Sequence, residues 1–111
     1  MYGNSKDDEL NKALDQYQKS LEIGDKKGIV SAYNQVGSIY QNPDFKKCSL
    51  NTALEYYEKS LDISLEIRDK KGVAQACVLI GTIYLDNYFF APNKIETALS
   101  YFEKGLEISL E

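Results

Sequence analysis

One helical pattern occurs three times in this chain: Ala13-Leu14-x-x-Tyr17-x-Lys19-x-Leu21-x-Ile23 returns as Ala53 to Ile63 and again as Ala98 to Ile108. A second unit runs between the copies, from Asp25-Lys26-Lys27-Gly28 to Gly37-Ser38-Ile39-Tyr40, and returns as Asp69 to Tyr84. Two helix types that alternate and repeat specify an all-α solenoid of antiparallel helix pairs, in which each unit buries its apolar face only by stacking on its neighbours.

The apolar spacing places the elements. Ala32, Val36, Ile39 and Tyr40 recur at helical intervals, as do Ala76, Ile80, Ile83 and Tyr84, which predicts A helices over 26–41 and 70–86. Asp25 and Asp69 precede them as N-caps, since an aspartate oxygen accepts from the unpaired first-turn amides. B helices are expected over 7–23, 50–67 and 94–110, giving the order B-A-B-A-B. Ser5 followed by Asp8, and Asn93 followed by Glu96, resemble the reciprocal cap, and the middle copy starts near Ser49. Gly37 and Gly81 interrupt good helices at about 1 kcal/mol each relative to alanine, which points to close approach of a neighbouring helix. Tyr17, Tyr57 and Phe102 are the large side chains expected to fill space beside such small residues. The chain of 111 residues is read as one domain: a half repeat 1–24, a repeat 25–68 and a repeat 69–111.

Charge and composition narrow the function. Seventeen acidic residues against thirteen basic ones give a net charge of -4, and the lysines are scattered as pairs (Lys26-Lys27, Lys46-Lys47, Lys70-Lys71). Nucleic-acid binding, which needs basic residues gathered on one face, is not expected. Neither is a membrane span, which needs about 18 consecutive apolar residues. There is no histidine, and Cys48 and Cys77 match no metal or redox spacing. Cys77 stands where the earlier unit has Tyr33 and reads as a small apolar core residue. Two such thiols suit a reducing, cytoplasmic setting. Asp7-Asp8-Glu9 reads as an acidic helix start that favours the positive end of the dipole. Nothing places a pair of acid-base groups in a defined pocket, and no glycine loop cradles phosphate, so neither an enzyme nor a cofactor is expected.

The residues carry a family resemblance. Tyr33-x-x-Val36-Gly37-x-x-Tyr40 followed by Ala53-x-x-x-Tyr57, and Cys77-x-x-Ile80-Gly81-x-x-Tyr84 followed by Ala98-x-x-x-Phe102, resemble the tetratricopeptide repeat over nearly the whole chain. The phrase Gly24-Asp25-Lys26-Lys27-Gly28 is similar to the long-repeat variety found in bacterial signalling proteins and animal polarity scaffolds. The connections Tyr40 to Ala53 and Tyr84 to Ala98 are longer than the family's usual one and nearer to the related Sel1-type repeat, whereas the long middle B helix is unlike Sel1. The family's usual proline after helix B is missing, its place taken by the aspartate caps.

The resemblance implies a protein-interaction scaffold whose A helices line a concave face. By spacing, that face comprises Ser31, Asn34, Ser38 and Gln41 in the first A helix and Gln75, Val78, Thr82 and Leu85 in the second. Asn34 and Gln35 match a position where long-repeat relatives grip peptide backbone by amides, which both donate and accept. Val78 and Leu79 break that pattern and suit an apolar anchor or partner helix. Chaperone-binding relatives hold an acidic tail with basic residues at positions that are here Asn34, Ser38, Gln75 and Leu79, so such tails are not expected as partners. The long connections carry Phe45, Tyr88, Phe89 and Phe90, which either fold back on the adjacent hairpin or form an exposed interface patch. Met1-Tyr2-Gly3 resembles the last turn of an A helix, and the last B helix is apolar on several sides (Leu99, Tyr101, Phe102, Leu106, Ile108, Leu110). The chain thus reads as a slice of a longer array, and its open ends are expected to self-associate or exchange helices with a second copy. The expected function is a scaffold binding a peptide or helix of a partner protein. The alternatives are a self-assembling homo-oligomer and the sensor segment of a larger bacterial signalling enzyme.

Overall fold

The computed structural model describes residues 5–86 and 94–110, and over these the chain is all-α. Five helices follow in order: α1 (Ser5–Ile23), α2 (Lys26–Gln41), α3 (Leu50–Glu66), α4 (Lys70–Asp86) and α5 (Lys94–Leu110). The expected B-A-B-A-B order holds. α1 starts at Ser5 itself, so Ser5 lies inside the helix and does not cap it from outside; Asn93 falls outside the described residues. Packing runs between consecutive helices, α1 on α2, α2 on α3, α3 on α4 and α4 on α5. Extents of 49 × 38 × 17 Å describe a flat array of helices, unlike a bundle closed about one axis.

Local chemistry sets the boundaries. The Gly28 amide donates to Asp25 Oδ1 at 2.8 Å, the Thr52 amide to Ser49 Oγ at 3.2 Å and the Gly72 amide to Asp69 Oδ1 at 3.1 Å, so α2, α3 and α4 each begin on a side-chain cap. The end of α3 is a Schellman turn: the Asp69 amide donates to Ser64 O at 2.9 Å and the Arg68 amide to Leu65 O at 3.2 Å. Arg68 takes the left-handed position, with φ of 58°, where glycine is the usual residue. Capping and turn closure share one junction, so α4 starts almost where α3 stops.

Two contacts of one kind hold each A helix to the B helix after it. A Cβ placed on Gly37 would lie 2.5 Å from Tyr57 Cε1, and one on Gly81 would lie 2.8 Å from Phe102 Cε1. The aromatic ring rests on the glycine backbone, as the pairing of small and large residues implies. Tyr40 stacks on Tyr56 with ring centroids 5.8 Å apart, and the equivalent Tyr84 stacks on Tyr101 at 6.1 Å. The core gathers on both sides of these contacts. One cluster holds Ala53, Tyr57, Leu61, Val73, Ala76, Cys77, Ile80 and Ile83, the other Leu14, Val36, Ile39 and Phe45. Small buried residues also meet between α3 and α4: a Cβ on Gly72 would lie 2.5 Å from Ser64 Oγ. The Ser60 and Ser64 hydroxyls are buried there without a partner.

Residues 42–49 fold onto the array. Phe45 is 1% exposed and meets the Tyr40 ring edge-on at 5.4 Å. Asp7 reaches across: its Oδ1 accepts from the Lys46 amide at 2.7 Å while Asn11 Nδ2, from the same helix, donates to its other oxygen at 3.1 Å. The acidic start of α1 therefore does more than offset a dipole, since its buried Asp7 fastens the first helix to a later connection.

Burial holds the phenols of Tyr56, Tyr57 and Tyr101 and the thiol of Cys77 above their ordinary values; Glu55 and neighbouring tyrosines add to the effect at Tyr56, and Glu58 adds to it at Tyr101. A proton held more tightly by the folded state gives stability that is complete below the unfolded pKa and is lost as pH rises through the folded one. Melting followed by circular dichroism is expected to show a Tm unchanged near neutrality and falling above about pH 9, where these groups begin to ionise in the unfolded chain. Gly37→Ala and Gly81→Ala, which in an open helix would stabilise by about 1 kcal/mol, are expected to destabilise by about 1–3 kcal/mol through overpacking against the rings. Denaturant titration of both variants checks this.

Candidate functional site: the face between α2 and α4

The two A-type helices present their first turns side by side. Between them lies a cleft of about 310 Å³ lined by Lys27, Val30 and Ser31 from α2 and by Asp69, Lys71, Gly72 and Gln75 from the start of α4. Lys27 and Lys71 are repeat equivalents, as are Ser31 and Gln75. The cleft is thus built twice from the same helix positions, and its walls offer a hydroxyl, an amide, two ammonium groups and one carboxylate. Lys26, beside it, is held by Glu66 at 3.0 Å in an exposed pair worth little on its own.

Of the residues that spacing assigned to this face, the structure brings Ser31 and Gln75 together in the cleft. Gln35, Val78 and Leu85 are exposed on the same two helices, Val78 at 50% and Leu85 at 43%. Ser38 is exposed but committed in part to the core, its Oγ 3.3 Å from the Tyr57 hydroxyl. Gln41 is half-buried, and its Oε1 accepts from that same hydroxyl at 2.7 Å. Thr82 donates from Oγ1 to Val78 O at 2.7 Å. Ser38, Gln41 and Thr82 therefore face structural partners as well as solvent.

Asn34 differs from expectation. It is 5% exposed, not open on the concave face, and its amide oxygen finds no donor. Asn34 lies one turn beyond Val30, the α2 residue that lines the cleft beside α4. Phe45 likewise belongs to the core and not to an exposed loop patch, while Tyr88, Phe89 and Phe90 lie outside the described residues. Spacing alone missed Lys27, Val30 and Lys71; the repeated Asp-Lys-Lys-Gly phrase that opens both A helices was the signal for the two lysines.

Among the described residues no group of three His, Cys, Asp or Glu side chains is placed to hold a metal ion, and no helix is long and apolar enough to cross a membrane. Cys77 is buried and Cys48 exposed, both as free thiols. Comparison with protein-family models, curated proteins and solved structures gives no match.

An amide oxygen buried without a donor costs about 1–3 kcal/mol. Valine, which stands at the equivalent position 78, removes that cost, so Asn34→Val is expected to raise stability by about 1 kcal/mol in a denaturant titration. A loss of stability would show that Asn34 has a polar partner in solution.

Proposed function

We propose that the chain is a protein-interaction module of the tetratricopeptide kind, which holds a peptide or helix of a partner protein along the face shared by α2 and α4. The observation that carries this reading is the cleft built from repeat-equivalent residues of two A-type helices, Lys27 with Lys71 and Ser31 with Gln75. The Gln75 amide and the Ser31 hydroxyl each donate and accept, which fits a peptide unit irrespective of its side chain. Lys27, Lys71 and Asp69 set a mixed charge, so the fitting segment is polar and not a strongly acidic tail. Further along α4, Val78 and Leu85 are exposed apolar side chains on which the bound segment can rest an anchoring residue.

The double variant Ser31→Arg, Gln75→Arg fills the cleft from two exposed positions and is expected to keep its circular dichroism spectrum. A peptide selected against the wild-type chain from a random library should bind this variant at least about tenfold more weakly, the factor that 1.4 kcal/mol of lost contact corresponds to. Undiminished binding, measured by fluorescence anisotropy, would move the site to another face.

A further inference from the structure

The fold sorts the lysine pairs that open the two A-type helices. In each pair the first lysine turns toward the B-type helices and the second toward the cleft between α2 and α4. Lys26 is paired with Glu66 of α3, and its equivalent Lys70 lines a hollow with Leu65 of α3 and Ile108 of α5. Lys27 and Lys71 line the cleft instead. One residue along a helix is a rotation of about 100°, which is enough to part them.

The cleft is short of negative charge, although the chain as a whole is acidic, at -4. Its lining holds two ammonium groups against a single carboxylate, Asp69. That carboxylate is already engaged, its Oδ1 accepting from the Gly72 amide as the cap of α4. Among the described residues neither Lys27 nor Lys71 has an ion-pair partner. Both stand in the first turn of a helix, where the aligned peptide dipoles add to the positive potential. Like charges lining one cleft repel, and an anion placed between them relieves the repulsion.

We propose, resting on the reading of this cleft as the binding face, that the segment it holds carries one acidic side chain, aspartate or glutamate, whose carboxylate sits between the ammonium groups of Lys27 and Lys71. One carboxylate matches the single unmatched positive charge of the cleft, and a second would face Asp69. A phosphorylated side chain, with nearly two negative charges at neutral pH, exceeds it. The exposed polar stripe of α2 runs on past the cleft through Gln35 and Ser38. The segment therefore continues beyond the lysines, and the carboxylate belongs to a side chain and not to a chain end.

The test uses peptides selected from a random library against the wild-type chain, synthesised with amidated C-termini and measured by fluorescence anisotropy. Those that the Ser31→Arg, Gln75→Arg chain binds poorly are expected to share one aspartate or glutamate. Replacing that residue by its amide should weaken binding to the wild-type chain at least about fivefold. The same replacement should matter less than about twofold to the Lys27→Gln, Lys71→Gln chain, because a direct contact shows as non-additivity. Both lysines are exposed, so circular dichroism should show this variant folded, and Lys27→Arg, Lys71→Arg should keep the preference for the acid. Three results would overturn the proposal while leaving the cleft as the binding face: cleft-dependent peptides with no shared acid; an acid whose loss the Lys27→Gln, Lys71→Gln chain feels as strongly as the wild type; or binding that returns only with a free C-terminus, which would give the site to a chain end. If no selected peptide responds to Ser31→Arg, Gln75→Arg, the binding face lies elsewhere and both readings fall.

Discussion

The array depends on rings seated on glycine backbone. Tyr57 on Gly37 and Phe102 on Gly81 set how closely each A-type helix lies on the following B-type helix, with distances that leave no room for a methyl group. The stacked pairs Tyr40–Tyr56 and Tyr84–Tyr101 follow from that approach and fix the rotation of one helix against the other. Once spacing and rotation are set, the cleft between α2 and α4 takes its position.

The second repeat retains this contact while changing its chemistry as a set. In the first, the Tyr57 hydroxyl donates to Gln41 and lies beside Ser38. In the second, Phe102 has no hydroxyl, Leu85 stands in place of Gln41, and Thr82, in place of Ser38, turns its hydroxyl to the Val78 carbonyl. A polar group beneath the ring would have no partner there, so the three positions change together. This accounts for much of the variation along the exposed stripe of α2 and α4: Ser38, Gln41, Thr82 and Leu85 answer to the ring beside them.

The helices, their order and the glycine contacts were legible in the sequence because two copies of the A pattern and three of the B pattern could be laid over one another, and because Asp25 and Asp69 mark starts by a mechanism that acts within one turn. Side-chain exposure was less legible. Asn34 and Val78 occupy equivalent positions, and periodicity places both on the same face, yet one is buried and the other 50% exposed, a difference that spacing along a single helix does not carry. Phe45 was ambiguous for a similar reason, since its burial depends on a loop whose path is set by Tyr40 and Asp7. Asp7 itself carried no long-range signal, for an aspartate near a helix start is already explained locally.

The bond from Asp7 to the Lys46 amide has a consequence for how the array comes apart. In a stack with only nearest-neighbour contacts, either end can peel away one helix at a time. Here α1 is also fastened to the connection beyond α2, so its departure strips a buried carboxylate of its donor and loosens the segment that covers Tyr40. Opening at the α1 end is therefore coupled to disruption of the neighbouring hairpin, and the stack yields on that side in larger, rarer steps than by simple fraying.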